Sequence, residues 1–195
     1  MEVEPANKII FIVGMAGAGK SIVSDELARH GFAFLRLGQI TLDKVKKLGL
    51  ALTEENERQI REGFRKEYGM GAFAILNIPK FDELLKRSNV VGDGLYSWSE
   101  YKILKEKYKE AMSVIAVYAP SELRYKRLSG RKLKKNDSKM RSRPFTVEEA
   151  KARDCAEIEN IEKGGPIAMA DFTIINTGTV DELKQNLARI LDQTM

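Results

Sequence analysis

Apolar residues along the chain follow two rhythms. Short apolar runs rich in Ile, Val and Phe occupy positions 8–13, 32–37, 89–94, 113–118 and 172–175. They are bounded by Gly, Pro, Asn or Asp, as expected of strands buried on both faces. Between them, apolar residues return every three or four positions. Ile22, Val23, Leu27 and Ala28 do so after the first run, and Val180, Leu183, Leu187, Ile190 and Leu191 do so near the end.

Local signals set the helix limits. Ser97-Trp98-Ser99-Glu100, Thr146-Val147-Glu148-Glu149 and Thr179-Val180-Asp181-Glu182 each read as a capping box. They open helices running to about Tyr108, to about Lys163 and through the final periodic stretch. Thr53-Glu54-Glu55 starts a helix to about Tyr68, with acids where the helix dipole favours them. Gly69-Met70-Gly71 interrupts it, Ala72 to Asn77 continues, and Pro79 is expected to start a further short helix. Gln39 to Leu52 reads as a broken helix stopped by Gly49, and Ser121 as the cap of a helix ending near Gly130. Strands alternating with helices predict an α/β fold, a five-stranded parallel sheet flanked by helices with right-handed crossovers. The chain is expected to form one domain over residues 1–195.

Composition adds two constraints. The single cysteine, Cys155, excludes a disulfide framework and fits a reducing cytoplasm. The single histidine, His30, excludes a multi-histidine metal site or a histidine-centred triad. Met1-Glu2-Val3-Glu4 lacks the basic region of a signal peptide, and no apolar run approaches the ~20 residues of a membrane span. A soluble protein with no membrane partner is therefore expected. Net charge is +5, yet residues 131–143 alone carry +6, leaving −1 for the rest. That local excess calls for a local anionic partner.

The candidate chemistry begins at Gly14-Met15-Ala16-Gly17-Ala18-Gly19-Lys20-Ser21, a full G-x-x-x-x-G-K-[ST] phosphate-binding loop between a predicted strand and a predicted helix. Glycines let backbone N–H groups approach phosphate oxygens, and the helix N-terminus, including Ile22, adds its dipole. Lys20 is expected to reach the β- and γ-phosphates of ATP, and Ser21 to ligate Mg²⁺. Asp93, ending an apolar strand, is the expected second group for Mg²⁺, with Gly94 allowing close approach. Arg124, Arg127 and Arg131 share one helix face. Arg124 is read as solvated surface, while the basic segment from about 131 to 145 is read as a mobile lid supplying cations to the γ-phosphate.

The loop, the strand ending in Asp93-Gly94, and Arg127-Leu128-Ser129-Gly130-Arg131 together resemble a nucleoside monophosphate kinase of the adenylate kinase type. The nearest likenesses are the small archaeal adenylate-kinase-related proteins and, in overall plan, dephospho-CoA kinases. The resemblance spans nearly the whole chain, including Ala168-Met169-Ala170-Asp171-Phe172 and Asn176-Thr177-Gly178. It implies that Arg127 stacks on the adenine and that Arg131 touches the phosphates. It gives Arg143 and Arg153 contacts to the transferring phosphoryl group, and the backbone of Asn176, Thr177 and Gly178 a place lining the adenine pocket. Leu37-Gly38-Gln39 and the helix bearing Arg61 and Arg65, within an insertion of about 38–88, would bind the acceptor.

The pattern departs from that family on the acceptor side. An arginine usually follows the Asp-Gly within four residues, but Leu95, Tyr96, Ser97 and Trp98 stand there. The arginine usual after the Gly38 position is also missing, with Leu42 and Asp43 near that place. The expected activity is ATP-dependent phosphotransfer to a nucleoside monophosphate such as AMP or CMP. The alternatives are dephospho-CoA phosphorylation, which would want a base such as Asp43 or Asp93, and a P-loop ATPase serving RNA or ribosome assembly. The basic segment has only Phe145 at its edge as an aromatic, which gives RNA no stacking platform and disfavours nucleic acid.

Overall fold

The computed structural model describes residues 7–131 and 144–194. Arg143 and all but the ends of the expected lid lie outside the described residues. The elements run β1 (Ile9–Val13), α1 (Lys20–Arg29), β2 (Ala33–Arg36), α2 (Gln39–Lys47), α3 (Glu54–Tyr68), α4 (Ala72–Leu85), β3 (Val90–Asp93) and α5 (Trp98–Tyr108). After a 3-10 turn at Lys109–Ala111 follow β4 (Met112–Tyr118), α6 (Ser121–Ser129), α7 (Val147–Ile161), α8 (Gly164–Ala168), β5 (Phe172–Ile175) and α9 (Val180–Thr194). The five strands form one parallel sheet in the order β2-β3-β1-β4-β5. The predicted fold class is the observed one.

Strand alternation distributes the core. Ile9, Phe11 and Val13 of β1 point to one face, where they pack with Phe73, Phe81, Leu104 and Met112. Ile10 and Ile12 point to the other, against Val23 and Leu27 of α1 and Leu183, Leu187 and Leu191 of α9. Every residue of β1 is buried, which is why its sequence runs apolar without alternation. Because β1 lies between β3 and β4, the chain reverses its direction of travel across the sheet there. The carboxyl end of such a strand is where sheets of this kind leave a crevice, and the glycine loop leaves from it.

Packing at the centre is close enough to forbid a methyl group. Gly92 of β3 sits in register with Phe11, and an added Cβ would overlap the Phe11 ring. That ring is fully buried and cannot withdraw. Gly92→Ala is therefore expected to cost about 1–3 kcal/mol, read as a lower urea midpoint at unchanged m-value. An unchanged midpoint would show that the sheet gives way more easily than its packing implies.

Several local expectations need correction. Pro79 does not start a helix; it lies inside α4. Its φ is compatible with helix, and burial of Phe73, Ala74, Asn77, Phe81 and Leu85 offsets the lost hydrogen bond. The helix opened by Thr146 ends at Ile161, with Glu162 left-handed at its C-cap and α8 following. Pro120 takes the N-cap position expected of Ser121. The three capping boxes form as predicted. Among the described residues no helix is long and apolar enough to cross a membrane.

Candidate active site

The loop from Gly14 to Gly19 joins the end of β1 to the first turn of α1. Its glycines are needed by the protein's own packing before any ligand arrives. Gly17 has φ +79° and a Cβ there would stand 2.7 Å from the Arg124 carbonyl oxygen. Gly19, the N-cap of α1 at φ 109°, would overlap the Asn176 side chain. No side chain caps this helix, and its first turn holds no acid. The end is thus kept electropositive and unobstructed, which suits an oxyanion.

Two arginines of α6 hold the loop, Arg124 buried and Arg127 half-buried. The Arg124 Nη1 donates to the Ala16 carbonyl at 3.0 Å, and its Nε donates to Ala119 at 3.1 Å. Its Nη2 pairs with Asp154 at 2.6 Å, and Tyr125 donates its hydroxyl to the same carboxylate. Arg124 is only 6% exposed, so its reading as solvated surface is overturned. Desolvation there is offset by Asp154, brought from α7, and by carbonyls that want donors. Arg127 donates to the Asn176 carbonyl at 3.0 Å, and the Asn176 amide donates to the Ala18 carbonyl at 2.7 Å. Those contacts tie Asn176 to the loop, beside a cavity of about 430 Å³ lined by Asn176, Thr177 and Gly178 together with Glu182 and Asn186 of α9.

Lys20 opens α1 and donates to the Met15 carbonyl at 3.0 Å, folded back over its own loop. Burial, and then the nearby Lys163, push its pKa down to about 7, against the pull of Asp93 and Glu157. Ser21 follows in the same turn. Asp93 ends β3, one strand over, in register with Ile12. Gly94, at φ +91°, lies within 3.9 Å of the Gly38 nitrogen by the position a Cβ would take. The structure therefore brings together Lys20, Asp93, Gly94 and Gly38, which are far apart in sequence.

Beyond Asp93 lies a charged cluster that the sequence reading largely missed. Arg153 donates to one Glu157 oxygen at 2.9 Å, and Lys163 pairs with the other. The Lys163 ammonium lies 4.4 Å from the centre of the Tyr96 ring. Although burial works the other way, Lys163 and Arg153 hold the Glu157 carboxyl below the usual carboxylate range. Burial pushes Tyr96 up to about 12, with Asp93 and Glu157 adding to the rise. Arg153 also lies over the Phe145 ring at 5.2 Å. Burial and then Arg153 lower the pKa of Arg131, so these two expected phosphate contacts share one space. Only the four-residue spacing of Arg153 and Glu157 hinted at this cluster; nothing near Lys163 in sequence announces its partners. The expected acceptor arginines are engaged elsewhere. Arg61 pairs with Glu54 at 2.6 Å and Glu57 at 3.5 Å, and Arg65 lies over Phe73.

Residues 10–171 match the AAA domain family. A UPF0200 protein of Thermococcus kodakarensis is 34% identical over 187 residues, covering 95% of this chain and 97% of that protein. The chain belongs to the UPF0200 family. A UPF0200 protein of Pyrococcus furiosus is 32% identical, with 94% of this chain and 95% of that one covered. Among solved structures, TT1252 from Thermus thermophilus is similar at TM-score 0.62 and 20% identity, covering 97% of this chain and 98% of its own. The shikimate kinase of Acinetobacter baumannii, solved with shikimate, is similar at TM-score 0.55 and 20% identity, covering 97% and 96%. These likenesses give this UPF0200 chain a P-loop kinase-like fold.

Proposed function

We infer that this UPF0200 protein is an ATP-dependent phosphotransferase that moves the γ-phosphoryl group to a small-molecule nucleotide such as AMP or CMP. The observation that carries this reading is the convergence of the phosphate loop and its half-buried Lys20 with Asp93, with Arg153 of α7 and with Lys163 at the start of α8. A loop that merely bound nucleotide would need no such cations on its far side.

The residues fit the groups assigned to them. The uncapped N-terminus of α1 and the glycine loop would receive the β- and γ-phosphates, with Lys20 turning from the Met15 carbonyl to meet them. Ser21 and Asp93 would hold Mg²⁺, which when bound supplies positive charge to the β- and γ-oxygens. Arg127 with Asn176, Thr177 and Gly178 would frame the base. Gly38, Gly94 and the 38–88 segment would border the acceptor, and Arg61 and Arg65 would have to leave Glu54, Glu57 and Phe73 to reach it. The acceptor oxygen attacks phosphorus in line, the bond to the β–γ bridging oxygen breaks, and ADP departs. Lys20, Arg131 and Arg153 stabilise the charge spreading over the phosphoryl oxygens. A phosphate acceptor is already anionic and needs no base; a hydroxyl acceptor would pass its proton to Asp93.

A coupled assay with Mg²⁺-ATP against AMP, CMP, UMP, dTMP, GMP and dephospho-CoA tests the reading, with Lys20→Ala as the dead control. One or more acceptors should raise ADP formation well above the acceptor-free rate. Background hydrolysis with every acceptor would end the kinase assignment.

The pKa of Lys20 gives a second test. A phosphate beside the ammonium raises a pKa that starts at about 7, so binding takes up a proton wherever the free side chain is neutral. Affinity should hold below pH 7 and fall as pH rises above it. Calorimetry at pH 8 in buffers of different ionisation enthalpy should show uptake of close to one proton with wild type and none with Lys20→Met. Equal uptake in both would remove Lys20 from the phosphate site.

A further inference from the structure

Charge in the cleft is out of balance. Among the described residues, Lys20, Arg153 and Lys163 are drawn to Asp93, Glu157 and Asp154, and Asp154 is already paired with Arg124. Lys163 is the extreme member, with 2% of its surface exposed. A buried ammonium is costly unless an anion compensates it. The anion at hand is shared, because Glu157 gives one oxygen to Lys163 and the other to Arg153. Nor is Lys163 turned away from the crevice, since its ammonium lies over the ring of Tyr96, three residues past Asp93 at the end of β3. This arrangement keeps positive charge in surplus beside the phosphate loop.

Its position shows which anion would relieve the surplus. The bonds among Arg124, Arg127, Asn176 and the loop lie on the α6 and β5 side. Lys163 lies on the other side, against the ring of Tyr96, which follows Asp93-Gly94 at the end of β3. That end adjoins Gly38. The junction of α7 and α8 is held there by Gly165, where an added Cβ would stand 2.9 Å from the Trp98 ring. The ammonium is therefore fixed at the acceptor end of the crevice by α7, by Tyr96 and by Trp98.

We propose that Lys163, positioned by Glu157 and Tyr96, binds an oxyanion of the phosphoryl acceptor, which makes the acceptor a small molecule bearing a phosphate or a carboxylate. The inference rests on the phosphotransfer reading above and deepens its acceptor side. An incoming oxyanion takes Lys163 donors in competition with Glu157, and the Tyr96 ring keeps water from that face. A neutral sugar or nucleoside can accept a hydrogen bond from the ammonium but brings no charge to offset it.

The test separates the acceptor anion from the nucleotide. Protein saturated with Mg²⁺ and the non-hydrolysable ATP analogue AMP-PNP, which fills the phosphate loop, is titrated with inorganic phosphate and separately with acetate. Binding is read by calorimetry and by emission of Trp98, the only tryptophan of the chain. Wild type should bind at least one anion, and the preferred one tells a phosphate acceptor from a carboxylate acceptor. Lys163→Met should weaken binding about tenfold or more and Lys163→Arg about threefold or less. Glu157→Gln should tighten it, because the competing carboxylate is gone; a structural role for the triad gives no such gain. If Lys163→Met fails to fold, the Arg and Gln variants decide. Anion binding that is equal in all variants overturns the inference. So does an absence of anion binding by wild type that still holds AMP-PNP, and that result leaves the phosphotransfer reading standing. Loss of AMP-PNP binding by wild type overturns both.

Discussion

Lys20→Ala is expected to lower kcat/KM by about a thousandfold while leaving the melting temperature within a few degrees of wild type. The two halves of that result have different causes. The ammonium stands at the start of α1, and in the proposed transfer it would meet the charge gathering on the phosphoryl oxygens mainly in the transition state. In the empty cleft the same ammonium is a liability. Burial and Lys163 drive its pKa to about 7, and among the described residues its hydrogen bond is to the Met15 carbonyl. Removing it takes away a poorly solvated charge and no buried apolar surface. A large fall in melting temperature would mean that Lys20 holds the loop in shape rather than serving phosphoryl transfer.

Arg124→Met is expected to do the reverse and strike stability first. The guanidinium satisfies the carbonyls of Ala16 and Ala119 and pairs with Asp154 at 2.6 Å, both side chains being 8% exposed. Without it Asp154 keeps only the Tyr125 hydroxyl, and its other oxygen already has no partner among the described residues. Breaking one side of a buried pair costs about 3–5 kcal/mol. For a chain of this size that corresponds to a drop in melting temperature on the order of 10 °C. The double variant Arg124→Met with Asp154→Leu should recover much of the loss, because no unpaired charge then remains. ATP affinity should stay reduced in the double variant, since the Ala16 carbonyl still lacks its donor. A single variant as stable as wild type would show that Asp154 finds other compensation.

What the sequence revealed is what short-range physics decides. The run Ile9 to Val13 is buried from end to end, so its unbroken hydrophobicity is visible without knowing its neighbours. The capping boxes lie within four residues of themselves and form where expected. Asp93 could be placed because a strand of four residues delivers its last side chain to the sheet's carboxyl edge. Pro79 misled because helix propensity is local while α4 is held by a buried face that includes Phe81 and Leu85. Arg124 misled for a related reason. Its three- and four-residue spacing to Arg127 and Arg131 looks like a solvated stripe, and only Asp154, thirty positions on, turns it inward. Lys163 left still less trace, since Tyr96 and Glu157 reach it from separate elements. The phosphate loop was legible because it is contiguous. The opposite wall of the crevice is assembled from the ends of β2 and β3 and from the α7–α8 junction, which no window of sequence contains.

The most direct measurement follows the γ-phosphoryl group itself. Wild type and Lys20→Ala are each mixed with Mg²⁺ and ATP labelled at the γ-phosphate, with and without each candidate acceptor, and the products are separated. Phosphotransfer predicts that label moves onto an acceptor, that acceptor raises the rate of ATP consumption, and that both effects vanish in Lys20→Ala. Label appearing only as inorganic phosphate, at a rate no acceptor changes, would contradict it.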